Sequence, residues 1–173
     1  MFAIRRIETL DAGLQAQLVG LLRDVIDGNG SVGFGNDDDA ALAGYWAEVA
    51  AQLGPGLRLW VAEQDGRVVG SVQLAPSQRS NGRHRGDLQK MMVLRAARGQ
   101  GVAKALLRAA ERHAAETGLT LLVLDTVVGL AADAMYRAAG WQEVGIIPDY
   151  ATDPAGELQA TRYYYKTPGF APA

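Results

Sequence analysis

At 173 residues, with 49% hydrophobic and 21% charged positions, the chain has the balance of one globular domain spanning 1–173 and too little length for a second. A formal net charge of −2 offers no basic field for nucleic acid or an anionic membrane surface. With no cysteine and only His84 and His113, thiol nucleophiles, disulfides and thiolate or histidine-rich metal sites are excluded, so no metal is expected.

Phe2 to Ile7 reads as a short edge strand. Asp11 offers an N-cap, and Leu14, Leu18, Leu21 and Val25 recur at helical spacing until Gly28. Gly28 to Gly35 (GNGSVGFG) has the glycines of a phosphate loop but neither the lysine nor the preceding strand, and reads as a loop able to cover a site. A second helix is expected from about Asp39 to Leu53, with Leu42, Trp46, Val49 and Leu53 on one face. Leu57 to Gln64 and Arg67 to Leu74 are strand-like runs joined by Asp65-Gly66, the signature of a type I′ hairpin. A polar loop with Arg79, Arg83, His84 and Arg85 leads to a strand over Asp87 to Leu94. An alanine-rich helix over Arg98 to Thr117 closes at Gly118, and Leu119 to Thr126 has the continuous apolar character of a strand covered on both faces. A helix from about Leu130 to Ala139 ends at Gly140; Trp141 to Ile147 and Thr161 to Lys166 are the last strands, with a turn-rich loop between them. This order describes a mixed α/β sheet with helices on both faces.

The chemistry concentrates in Met91 to Leu107, where a strand gives way to a glycine-punctuated loop and a helix start. A helix start leaves unpaired backbone N–H groups at the positive end of its dipole. Gly99 and Gly101 let an anion approach those amides, Arg98 adds a forked cation, and Ala103 keeps the next turn small. These are the parts of a diphosphate cradle; a plain strand-to-helix turn with one solvent-facing arginine is the alternative.

Arg98-x-x-Gly101-x-Ala103 between a strand and an alanine-rich helix resembles the coenzyme A loop of the GNAT superfamily of N-acetyltransferases, and Met135-Tyr136-Arg137-Ala138-Ala139-Gly140-Trp141 resembles that family's second helix ending. The resemblance implies a GNAT-type, mostly antiparallel sheet whose central parallel pair is splayed around the coenzyme. It implies that Met91 and Val93 pair with the pantetheine arm of acetyl-CoA and that the stretch Arg98, Gly99, Gln100, Gly101, Val102 and Ala103 holds the diphosphate. Ser31 to Phe34, Tyr45-Trp46, Leu88 to Leu94, Leu124-Asp125-Thr126 and Tyr165-Lys166-Thr167 look like the tabtoxin-resistance branch, which acetylates an amine of a small antibiotic-like compound. One departure is Gly129, which stands where many members carry asparagine before the tyrosine-bearing helix.

Acetyl transfer to an amine needs a proton acceptor, donors for the thioester carbonyl and help for the departing thiolate. Without cysteine, and with two histidines, carboxylates and tyrosines must serve. Asp125, following Leu121 to Leu124, sits where poor solvation would raise its pKa, and Asp87 can share its cleft if the two strands are parallel neighbours. The resemblance gives both acids a base role, although the acid matching Asp87 in that branch is a glutamate, and it makes Tyr136 a donor to the coenzyme sulfur. The competing assignments are a turn cap for Asp125, a solvated strand end for Asp87 and core packing for Tyr136. Phe34 is a candidate lid residue and Tyr150 a candidate wall of the acceptor pocket, Trp46 is core, and Tyr163, Tyr164 and Tyr165 read as ordinary strand residues. Arg79, Arg83 and Arg85 are candidates for the coenzyme's ribose phosphate, and His113 reads as structural.

The expected activity is therefore acetyl transfer from acetyl-CoA to a small-molecule amine by direct attack. A protein or peptide acceptor and a non-catalytic coenzyme A sensor are the rivals. The N-terminus carries Arg5, Arg6 and Glu8 without a signal-peptide run, and no stretch nears ~18 apolar residues. A cytoplasmic monomer or homodimer, independent of nucleic acid and membrane, is the corresponding expectation.

Overall fold

In the computed structural model, which describes residues 1–30 and 32–169, the expected element order is kept. Strand β1 (Ala3–Ile7) leads to helices α1 (Ala12–Asp27) and α2 (Asp39–Gln52). Strands β2 (Arg58–Gln64) and β3 (Arg67–Pro76) follow, then β4 (Arg85–Val93), a 3-10 turn at Arg95–Ala97, and helix α3 (Val102–Glu116). Strand β5 (Leu121–Val127), helix α4 (Ala131–Ala138) and strands β6 (Gln142–Thr152) and β7 (Leu158–Lys166) complete the chain. Ser31, part of the resemblance quoted above, lies outside the described residues.

Local chemistry sets the ends of these elements. The Asp11 carboxylate accepts from the Leu14 amide at 2.8 Å and the Asp38 carboxylate from the Ala41 amide at 2.9 Å, each satisfying an orphan donor at a helix start. Asp65 and Gly66 both adopt positive φ (51° and 75°), the type I′ turn whose twist suits a hairpin. Helix α3 starts at Val102 and not at Arg98, because Arg98 to Gly101 remains loop and Gly101 sits at the N-cap with φ 82°. Strand β6 continues past Pro148 to Thr152, so Tyr150 lies on a strand and not in a loop. A bulge absorbs the proline: the register skips between Ile147 and Ala151, and Asp149 turns to φ 51°.

The sheet has strand order β1-β2-β3-β4-β5-β7-β6. Its one parallel pair, β4 with β5, is joined only from Arg85↔Leu121 to Asp87↔Val123; beyond that point the strands part. The other pairings are antiparallel. On one face α3 and α4 pack Leu106, Leu107, Ala110 and Tyr136 against Leu74, Leu88, Leu122, Leu124 and Tyr164. On the other, α1 and α2 pack Leu18, Leu22, Leu42 and Trp46 against Leu59, Val61 and Met92. The mixed, mostly antiparallel sheet with helices on both faces is thus the fold formed.

Strand β4 changes faces along its length. Leu88 belongs to the α3 side and Met92 to the α1/α2 side, although residues four apart in an unbroken strand share a face. Lys90, at φ 52°, is the pivot, and the β3–β4 register skips opposite it between Ser71 and Gln73. Gly70 completes the arrangement: a Cβ there would lie 2.8 Å from the Met92 carbonyl oxygen and 3.0 Å from Val102 Cγ1, so its bare backbone lets the start of α3 sit close to the sheet.

Candidate active site

The gap between β4 and β5 opens into a cavity of about 580 Å³. One end is formed by the start of α3. Its first N–H groups have no carbonyl partner within the helix, and Gly101 provides no capping side chain. Gly99 (φ 76°) and Gly101 take left-handed backbone that few side chains adopt, and the space on their Cβ side is open. Arg98, Gly99, Val102 and Ala103 line the cavity, as do Met91 and Val93 on the free edge of β4. The Gln100 side-chain amide donates to the Ala96 carbonyl at 3.2 Å, and neither Gln100 nor Gly101 belongs to the cavity lining. An unfilled helix start, open glycines and an exposed guanidinium fit a diphosphate.

Asp125 and Tyr136 line the other end. The Asp125 carboxyl is pushed up, first by burial, while the positive charge of Lys90 pulls it partly back. Tyr136 is buried against Trp141 and Tyr164, with ring centroids 6.0 and 6.1 Å away. Burial, and after it the charge of Asp125, pushes its phenol well above the usual range, so the hydroxyl stays protonated. Asp87 shares a sheet face with Asp125, since it is in register with Val123 two residues earlier. It lies outside the cavity lining and faces the Arg85 Nε at 3.8 Å. Arg79, Arg83 and Arg85 stand at the other end of β4 from Gly99, and a nine-residue strand spans about 30 Å, so the diphosphate cradle is out of their reach. His113 packs edge-on against Trp60 at 5.3 Å.

Two side chains here were not singled out by the sequence reading. Lys90 lines the cavity and donates to the Val32 carbonyl at 2.5 Å, while its ammonium lies 5.2 Å from the Phe34 ring centre and 5.3 Å from that of Tyr45. Tyr163 pairs in register with Asp125 and shares a 2.6 Å hydroxyl hydrogen bond with Tyr150, which lines the cavity. The only sequence signal for Tyr163 was strand alternation, which places it on the face of Asp125; nothing in the sequence marks Lys90 as a left-handed bulge. Val32 and Gly33 line the cavity, and Phe34 packs on Tyr45 at 5.1 Å, so this loop forms part of the cavity wall.

Helix α4 has only eight residues, and polar contacts fix it. Asp133, buried, accepts from the Tyr164 hydroxyl at 2.6 Å and from Arg162, which also meets Glu143 at 3.1 Å. Arg137 donates to the Tyr164 hydroxyl at 2.9 Å. At the far end, Glu111 accepts from the Trp141 indole at 2.7 Å and from Lys166 at 2.9 Å. Together these hold Tyr136 against the cavity wall.

Gly129, at φ 83°, turns the chain between β5 and α4. Among the described residues no helix is long and apolar enough to cross a membrane, and no group of three or more His, Asp or Glu is arranged to hold a metal.

Comparison with known proteins agrees with this geometry. The chain is 37% identical over 105 residues to the uncharacterized N-acetyltransferase YjgM of Escherichia coli, covering 60% of each protein. It is 37% identical over 92 residues to N-acetyltransferase 8 of Rattus norvegicus, 52% of this chain and 41% of that one. The match thus spans about half the length of such relatives. Among solved structures, a ribosomal-protein-alanine N-acetyltransferase from Brucella melitensis superposes with a TM-score of 0.79 at 23% identity, over 95% of this chain and 99% of that one. A Salmonella typhimurium structure, yncA with its cofactor acetyl-CoA, superposes with a TM-score of 0.77 at 15% identity, over 100% of this chain and 97% of that one. At such identities the structures speak for the fold. The family model described as acetyltransferase (GNAT) family matches residues 30–141, and the chain belongs to that family.

Proposed function

We propose that the chain is an acetyl-CoA-dependent N-acetyltransferase that moves an acetyl group to a primary amine of a small molecule by direct attack. The observation that carries this reading is the single cavity joining the open amides of α3 to Asp125 and Tyr136. The likeness of Leu88–Leu94 and Leu124–Thr126 to the tabtoxin-resistance branch supports a small acceptor, as does the loop that narrows the acceptor end with Val32 and Gly33.

Acetyl-CoA supplies the activated acetyl group. The start of α3 and Arg98 hold its diphosphate, and the free edge of β4 at Met91 and Val93 aligns its arm. Asp125 binds the acceptor as an ammonium and first takes one proton, so that the neutral nitrogen can attack the thioester carbon. A C–N bond forms, the C–S bond breaks with its electron pair leaving on sulfur, and the second proton that nitrogen loses as the amide forms goes to the thiolate, giving the free thiol. Tyr136, kept protonated by burial, donates a hydrogen bond to the departing thiolate, so it acts as a donor rather than as a strong acid. Asp87, one strand away on the same face but outside the cavity lining, is the second candidate to bind or deprotonate the amine beside Asp125.

The test is thiol release with acetyl-CoA and a panel of small amines and peptides. Asp125→Asn is expected to lower kcat by about 10²–10⁴-fold, and Tyr136→Phe by a smaller factor, with the acetyl-CoA Kd from calorimetry nearly unchanged. Wild-type rates in both variants, or turnover confined to peptides, would reject the reading.

A further inference from the structure

Lys90 is a cation enclosed in the acceptor end of the cavity, and the transfer just described does not use it. Its ammonium is half enclosed by the Phe34 and Tyr45 rings and by the Val32 carbonyl. Asp125 lines the same cavity. Each of the two is the foremost charged influence on the other: the carboxylate raises the lysine pKa against the lowering effect of burial, and the ammonium lowers that of Asp125. Yet they form no ion pair; among the described residues the salt bridges within 4.0 Å involve neither. Two opposite charges line one cavity without pairing, Lys90 half-buried and Asp125 open to the cavity, so a ligand carrying both charges can span them. An ammonium has three donors, and the Val32 carbonyl takes one.

We propose that the acceptor is a small zwitterion, an amine with a carboxylate a few bonds away, and that Lys90 is the residue that reads its anion while Asp125 takes its amine. This rests on the acetyltransferase reading above and narrows its substrate class. A neutral amine would meet Asp125 but leave Lys90 facing the cavity without an anion, whereas an amino acid fills both ends in one orientation. Once the two charges have fixed that orientation, the nitrogen lies on the Asp125 and Tyr136 side, where transfer occurs.

The experiment compares matched pairs: small amino acids against their methyl esters and amides, with acetyl-CoA, by thiol release. In the wild type the acids are expected to exceed the esters at least tenfold in kcat/KM, chiefly through KM. Lys90→Met is unbranched, as the left-handed backbone at this position requires. It should collapse the ratio towards one by raising KM for the acids alone, and Lys90→Arg should keep part of it. Thermal melting and acetyl-CoA calorimetry on both variants check that fold and coenzyme site are intact. If the wild type acetylates esters as readily as acids, or Lys90→Met slows both equally, the anion-reading role is overturned while the acetyltransferase stands. If no amine is acetylated at all, the acetyltransferase reading and this one fall together.

Discussion

The two ends of the cavity are built from different materials. The end proposed to hold the coenzyme is backbone: a run of amides at the start of α3, opened by Gly99 and Gly101 at positive φ, with one side chain, Arg98, adding charge. The end proposed for the acceptor is side chains: Lys90 from the bulge in β4, Asp125 from β5, Tyr136 from α4 and Tyr150 from β6, beside a loop from the other layer. A site of amides depends on where the chain turns, and turns leave glycines in the sequence. A site of side chains depends on which strands lie beside one another and in what register, which no short stretch encodes.

Breaking the two ends separately tests that contrast. The largest effect is expected from the polar clamp under α4. Asp133→Ala removes the carboxylate that Arg162 and the Tyr164 hydroxyl share, leaving Arg162 with Glu143 alone, and should lower the midpoint of denaturant titration more than any other substitution here. For Asp133, burial alone would raise the carboxyl, but hydrogen bonds from Tyr164 and Arg162 and the charges of Arg162 and Arg137 outweigh it and hold it below its ordinary value. A carboxyl depressed in the folded state contributes stability above its unfolded pKa and loses it as pH falls through the folded one. The gap between wild type and Asp133→Ala should therefore narrow on acidification below the normal carboxylate range.

Gly70→Ala is next. Its Cβ would press on the Met92 carbonyl and Val102, so about 1–3 kcal/mol of stability should be lost, and acetyl-CoA affinity with it as α3 is pushed off the sheet. Arg98→Ala should raise the acetyl-CoA Kd by about tenfold, and flatten its salt dependence, without changing the preference among amines. The smallest effect is electrostatic. Because Lys90 lowers the Asp125 carboxyl, Lys90→Met should move its titration to higher pH, as read from the carboxyl carbon resonance by NMR.

Much of the fold was legible because its signals are local. The helix cap at Asp11, the Asp65-Gly66 turn and the apolar run before Asp125 each specify their element within a few residues. The misreadings came where a tertiary contact overrode a local rule. Pro148 suggested the end of a strand, but at the sheet edge a proline needs no partner for its missing N–H, and a bulge carries β6 on to Thr152. Arg98 looked like the first residue of a helix, but two left-handed glycines keep that stretch unwound. Among the other lining side chains, Asp125 was visible as a polar group after an apolar run, and Tyr136 through the resemblance carried by Met135 to Trp141. Lys90 was hidden because lysine is usually solvated, and only the face change in β4 turns it inward.

That face change constrains how the protein could diversify. Position 90 adopts a backbone conformation that β-branched residues strongly disfavour, while glycine, asparagine and unbranched side chains tolerate it. A lineage exploring new acceptors would thus have a restricted alphabet at one wall of its pocket. It would vary the covering loop or the β6–β7 hairpin more freely, so differences in acceptor choice among descendants should accumulate there first, with the β4 pivot changing last.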